Sequence, residues 1–374
     1  MSFSSYFKED FVVTKSAKEG SLGDYITDYT QDLSFEDFDF ALVFINQSDN
    51  EHGLFESMIL EQLSKLFPSD FEPRILNLGL LVKGASVKDT EAAVADIAEE
   101  LITNRVVPII IADSREVTIA AYKAFEKAES VVNITAVDNT LNIQNGTEEG
   151  YMSTILQTQP NYLFNFSNIG YQTYLTDPKE LHLTDQLFFD AYRLGEVRGN
   201  ILTTEPIIRG SEIVTVSLDV VKAADFRSNQ NPQPNGLYAE EICQLMRFAA
   251  LSEKSKVLLL TDIKFDSQEE VDALLVAEML WCFFEGFYMR KTEMPHAKSK
   301  GFLKYRVALK NDEFHLIFYK SLKTDRWWME VPVPPEFANK YRKHHLIPCN
   351  YDDYKVATED DLPDRWWKAY KKML

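Results

Sequence analysis

The sequence predicts a three-layer α/β/α domain built on a mainly parallel sheet, with an antiparallel hairpin added near its C-terminal end. Three observations carry that prediction. Short apolar runs rich in β-branched residues alternate with longer segments of helical periodicity. Several runs, such as Val-Val-Pro-Ile-Ile-Ile at 106–111, are apolar at every position, as strands covered on both faces must be. From about residue 300 the alternation gives way to two strand-like segments flanking a turn dipeptide.

Taken in order, residues 1–37 form a polar, acidic leader packed on the core, and residues 38–295 hold the α/β domain. Its predicted strands are 40–46, 74–78, 106–112, 131–137, 162–168, 213–219 and 257–262. Between them, 87–103, 117–127, 239–251 and 268–289 have the apolar spacing of helices with one buried face. Residues 296–374 form an extension within the same globular unit, opened by 302–309 and 314–320 on either side of Asn311-Asp312. A tetrapeptide then occurs twice, as Asp325-Arg326-Trp327-Trp328 and Asp364-Arg365-Trp366-Trp367, and holds four of the five tryptophans. No longer repeat accompanies it, so it does not indicate a solenoid.

The 374 residues are 45% hydrophobic and 13% aromatic, which supplies a buried core and excludes disorder as the default. A formal charge of −19 repels phosphate backbones and anionic lipid, so neither nucleic acid nor membrane is an expected partner. The N-terminal residues lack the basic start and apolar core of a secretory signal. The most apolar long window, 271–289, carries Asp272, Glu278 and Glu285 and suits a buried helix rather than a membrane span. Cys243, Cys282 and Cys349 are scattered and odd in number, as in a reducing compartment, and the expected location is cytoplasmic.

In an open parallel sheet, ligands collect beyond the carboxyl ends of the strands. Those ends read Ala112-Asp113-Ser114-Arg115-Glu116, Asp138-Asn139-Thr140-Leu141-Asn142, Ser217-Leu218-Asp219-Val220-Val221 leading on to Asp225, and Asp262. Their order and spacing resemble the ureohydrolases (arginase, agmatinase, formimidoylglutamase) over roughly residues 40–290. In that family the corresponding segments are Gly-Gly-[Asp/Gly]-His, Asp-x-His-x-Asp and Ser-x-Asp-x-Asp-x-x-Asp. The stretch Asn231-Pro-Gln-Pro-Asn-Gly-Leu237 resembles the family's Pro-x-Gly-Leu loop, and Ile169-Gly170-Tyr171-Gln172 resembles the Gly-Ile-Gln segment of the formimidoylglutamase branch.

The resemblance implies a site where two Mn²⁺ ions generate hydroxide and clamp the attacked carbon centre. Carried over residue by residue, the first histidine is Arg115. The Asp-x-His-x-Asp ligands are Asp138, Thr140 and Asn142, and the Asp-x-Asp pair is Asp219 and Val221. Asp138 and Asp219 alone keep the family's residue type, and valine cannot ligate at all. The expected reading is therefore a chain that has lost the binuclear site, needs no cofactor, and acts by binding a small metabolite or a protein. The alternative is a metal-dependent hydrolase of amidine or guanidino C–N bonds with a reduced or relocated site drawn from Asp113, Asp138, Asp219, Asp225 or Asp262. Mn²⁺ enters only under that alternative, with Asp138 and Asp219 as its ligands of first choice.

Arg115 invites a sharper expectation, because a guanidinium fork binds carboxylates in pairs and can take the place of a cation between Asp138 and Asp219. Both aspartates also suit capping of the turns that follow them. Asp262 stands where the family often has a substrate-binding acid, although charged strand ends are common. The six histidines fall outside these segments, and His344-His345 continues a basic surface run. No Gly-x-Ser-x-Gly elbow, phosphate loop or dinucleotide fingerprint is present. For Arg326, Trp327, Trp328, Arg365, Trp366 and Trp367 the two readings are packing against the core and a partner-binding surface. One tryptophan of each pair is expected to be exposed, since consecutive residues on a strand face opposite sides. Ureohydrolases are often homo-oligomers, and the resemblance extends that expectation to this chain.

Overall fold

The computed structural model describes residues 6–7, 18–46, 54–143, 150–265, 270–295, 300–310, 314–337, 340–341 and 344–374. Nine parallel strands form the main sheet: β1 (Ile26–Asp28), β2 (Phe40–Ile45), β3 (Ile75–Leu80), β4 (Val107–Ala112), β5 (Val132–Val137), β6 (Leu163–Tyr171), β7 (Asp190–Arg193), β8 (Ile213–Ser217) and β9 (Val257–Thr261). Their order is β1-β3-β2-β4-β9-β8-β5-β6-β7. The crossover from β4 to β5 therefore spans β9 and β8, and four strand ends converge at mid-sheet.

Strand alternation sends side chains into two helical layers. Phe40, Leu42 and Phe44 of β2 pack with α1 (Leu54–Lys65), α8 (Ala239–Ala250) and α9 (Glu270–Tyr288). Ala41, Val43 and Ile45 face the other way, toward α2 (Val87–Thr103) and α3 (Val117–Lys127), with α4 (Tyr151–Gln157) and α5 (Pro178–Gln186) beyond. Two short helices, α6 (Leu194–Gly199) and α7 (Glu205–Arg209), link β7 to β8. Helix α9 lies in the apolar core, and no helix among the described residues is long and apolar enough to cross a membrane.

The extension is larger than a hairpin. Strands β10 (Phe302–Leu309), β11 (Phe314–Ser321), β12 (Trp327–Glu330) and β13 (Leu346–Cys349) form a second, antiparallel sheet, followed by α10 (Tyr351–Thr358) and α11 (Asp364–Met373). The predicted turn at Asn311-Asp312 lies outside the described residues. Part of the leader also belongs to the main sheet, because β1 pairs in register with β3 through Ile26 and Ile75.

Candidate functional site

Four adjacent strands, β4, β9, β8 and β5, each deliver one charged residue to the carboxyl rim. Arg115 sits in the turn between β4 and α3, where its carbonyl accepts the Thr118 N–H at 3.0 Å and opens the helix. Asp262 follows β9 directly in a left-handed conformation, φ +61°. Asp219 lies in a 3-10 turn begun by Ser217, whose hydroxyl accepts the Asp219 N–H at 3.2 Å and donates to Asp262 Oδ2 at 2.6 Å. Asp138 extends the β5 ladder, its N–H donating to the Ile169 carbonyl at 3.1 Å.

One guanidinium joins all of them. Arg115 Nη1 donates to Asp138 Oδ1 and Oδ2 at 3.2 and 3.1 Å, and lies 3.2 Å from Thr140 Oγ1 and 3.1 Å from Asn142 Oδ1. Nη2 meets Asp219 Oδ2 at 2.6 Å, and Nε meets Asp262 Oδ2 at 2.9 Å. Neutral donors complete the carboxylate shells. Asp138 accepts the Thr140 N–H at 3.0 Å and the Asn142 amide at 2.9 Å. Asp219 accepts both the backbone and the side-chain amide of Asn231 at 3.1 Å. Capping and ion pairing thus coexist at Asp138, since the same carboxylate holds its own turn and Arg115.

Three buried carboxylates around one cation leave an excess of negative charge, and the titration behaviour follows from it. Burial pushes Asp138 up to about 6 against the pull of Arg115. Burial and the charge of Asp262 likewise raise Asp219. Burial alone would lower Arg115, but Asp138, Asp262 and Asp219 outweigh it and hold the guanidinium protonated well above its usual range. Tyr151, fully buried beneath the cluster, has its phenol raised by the same loss of water.

No protein-family profile and no curated protein sequence matches this chain. Solved structures do. The formimidoylglutamase of Bacillus subtilis subsp. subtilis str. 168 superposes with a TM-score of 0.63 at 12% identity, covering 76% of this chain and 98% of that one. Formiminoglutamase from Trypanosoma cruzi with Mn²⁺ gives 0.61 at 14% identity, over 69% of this chain and 96% of its own. This is the ureohydrolase fold. The agmatine ureohydrolase of Thermoplasma volcanium agrees, at 0.57 and 15% identity over 73% of this chain and 96% of its own.

On the ureohydrolase fold, the residues carried over by resemblance separate into two groups. Arg115, Asp138, Thr140, Asn142 and Asp219 are in direct contact, and Asp262 joins them as a third carboxylate on the same guanidinium. Val221 is elsewhere, fully buried in the apolar layer with Leu237 and Phe226. The Arg115 guanidinium lies between the carboxylates, the carried-over Val221 is apolar, and among the described residues no group of three or more His, Cys, Asp or Glu is disposed to hold a metal. Asp225 serves locally, accepting the Ala239 N–H at the start of α8 at 3.0 Å and pairing with Lys222 at 3.3 Å. Asp113 is buried, and its carbonyl accepts the Gln230 amide at 2.5 Å.

The tryptophan expectation needs correction. Trp327 and Trp328 do face opposite sides of the small sheet, yet both are buried because both sides are covered. Trp327 stacks on Tyr305 at 5.3 Å, and Trp328 lies under the Arg209 guanidinium at 4.4 Å. In the second tetrapeptide Trp366 is 2% exposed and Trp367 39%, on a helix rather than a strand. Arg326 pairs with Glu205 at 3.1 Å, and Arg365 donates to the Pro348 carbonyl at 3.2 Å. Of the six candidates for an exposed binding surface, Trp327, Trp328 and Trp366 are thus core residues. His344 is also buried, 4.8 Å from the Phe164 ring, rather than part of a surface run. Sequence reasoning missed the Asn231 amides and the Ser217 hydroxyl as partners of the carboxylates, because neither residue type marks itself without its neighbours in space.

Proposed function

We propose that this chain is a non-catalytic ureohydrolase-fold protein in which an internal arginine takes the place of the metal cations, and that it acts by binding. The contact of Arg115 with Asp138, Asp219 and Asp262 carries the reading. A divalent ion entering this space would have to displace a bonded guanidinium and meet a positive charge. The test is incubation with excess Mn²⁺, removal of free metal, and elemental analysis, paired with assays on formimidoylglutamate, agmatine and arginine. The expected result is no retained Mn²⁺ and no turnover. Stoichiometric Mn²⁺ together with turnover that Asp219→Asn abolishes overturns it.

A small molecule is the favoured ligand class, because three of the four paired tryptophans are spent on packing. The cleft between α7 and the small sheet, about 900 Å³, is of ligand size and is walled by Tyr305, Trp327, Tyr351 and Tyr354, with Lys320 and Arg326 at its edge. Such a wall suits a planar or apolar group. Tyr351 is 51% exposed, so Tyr351→Ala is expected to weaken ligand-induced thermal stabilisation while leaving the unliganded melting point nearly unchanged.

A further inference from the structure

Side chains of helix α11 reach residues near the starts of β5, β6 and β7, at the opposite end of those strands from the carboxyl rim that holds Arg115. Three of its residues at helical spacing, Arg365, Lys368 and Lys372, line a pocket of about 60 Å³ together with Asn133, Asn165 and Asp190. Three cations and a single carboxylate therefore share one small space, in a protein whose formal charge is −19.

The partners of these cations are unequal. Lys368 is neutralised, 3.1 Å from Asp190 and 3.0 Å from Asp364. Arg365 donates to the neutral Pro348 carbonyl at 3.2 Å and bonds the Tyr192 side chain, while Asp353 and Asp190 act on it only through space. Lys372 donates to the Asn165 side-chain carbonyl and lies 5.6 Å from the Phe189 ring centre. Burial and the charge of Lys368 push Lys372 down to about 8, as expected of an ammonium short of counter-charge. The volume exceeds the roughly 10–15 Å³ that one water needs, but by only a few fold, so a compact group of a few heavy atoms fits and a nucleotide does not.

We propose that this pocket is a binding site for a tetrahedral oxyanion of the phosphate or sulfate class, held by Arg365 and Lys372 with Lys368 behind them. The ion enters either free or as the terminal group of a larger ligand whose remainder stays outside. A guanidinium fork and an ammonium converging from one helix face match such an ion in charge and in donor geometry.

Calorimetric titration with inorganic phosphate and with phenyl phosphate, at constant ionic strength in chloride, tests the proposal. The expected result is saturable one-to-one binding that sulfate competes away and added chloride does not. Tighter binding of phenyl phosphate assigns the site to a phosphomonoester, whereas binding of inorganic phosphate alone assigns it to the free ion. Lys372→Gln is expected to weaken binding at least tenfold, and Lys371→Gln, on the neighbouring position, to leave it unchanged. Absence of saturable binding by either probe, or equal affinity in a folded Lys372→Gln protein, overturns the proposal. Should Lys372→Gln not fold, the sulfate and chloride competitions on the unmodified chain still decide it.

Discussion

Replacing Arg115 by alanine removes the one cation that, among the described residues, is in contact with three buried carboxylates, and the consequence can be worked from the geometry. Deleting one member of a buried ion pair costs about 3–5 kcal/mol, chiefly because the remaining charge is stranded. Here the guanidinium touches Asp138, Asp219 and Asp262 and is itself only 15% exposed, so solvent offers little relief. The three losses do not add, because one carboxylate can take up a proton instead. Asp138 is already pushed up to about 6, so protonating it at pH 7 costs about 1.4 kcal/mol, and loss of Arg115 makes that uptake easier. The expected destabilisation is therefore about 3–5 kcal/mol at pH 8, falling by about 2 kcal/mol at pH 5.

The direction follows from the raised carboxylate pKa. A folded state that binds protons more tightly than the unfolded chain gains stability as pH falls, and the gain is lost as pH rises through the folded pKa. Removing Arg115 moves that window upward for the variant, so the gap between variant and parent narrows in acid. Urea denaturation followed by circular dichroism at pH 5 and pH 8 measures both quantities, with Arg115→Lys as a variant that keeps the charge and loses the fork. A loss below about 1 kcal/mol at pH 8, or a gap that widens in acid, refutes the arginine-for-metal arrangement.

The two tryptophans of the second tetrapeptide should respond differently to truncation. Trp366→Ala is expected to cost about 3–5 kcal/mol and Trp367→Ala less than about 1 kcal/mol by denaturant titration, in line with their burial. At Gly236, an added Cβ would lie 2.4 Å from the Val220 carbonyl oxygen and 2.5 Å from the Lys222 nitrogen. Gly236→Ala should therefore lower stability by about 2–3 kcal/mol, and an unchanged melting temperature would contradict the close approach of these loops. Glu180 is buried and pushed up to about 7 by that burial, so its ionisation opposes folding increasingly as pH rises from about 4.5 to 7. Glu180→Gln is expected to stabilise by about 1–3 kcal/mol at pH 8 and to have little effect at pH 4, as read from paired unfolding curves.

How much of the fold was legible depended on how strongly each segment was driven by burial. Helices α2 and α3 occupy 87–103 and 117–127 as their periodicity predicts, and the apolar strands β2 to β5 fall within a residue or two of expectation. The missed strands of the main sheet are short and largely polar. Ile26–Asp28 and Asp190–Arg193 carry too few side chains for an alternation to register, and they become strands because a longer neighbour offers its edge. In the extension, Asp-Arg-Trp-Trp ends a loop and enters β12 in one copy and starts α11 in the other. The same four residues thus obey their surroundings, since propensity over so short a span is weaker than tertiary packing.

At the site, the residue types were readable: an arginine and a valine where the resemblance implies ligands, and two aspartates where it implies carboxylates. These depend on residue type and on short spacing along the chain, which the sequence states directly. Which charged groups actually meet depended on strand order. Strand β9 inserts between β4 and β8, which brings Asp262 to the Nε of Arg115 across 147 positions of chain, while Val221 turns into the apolar layer two residues after Asp219. Parallel neighbours are chosen by long crossover connections and by the fit of whole helical layers, so no local pattern encodes them. The sequence determined which charged and polar residues stand at the strand ends, and the tertiary structure alone decided that one guanidinium would hold three carboxylates.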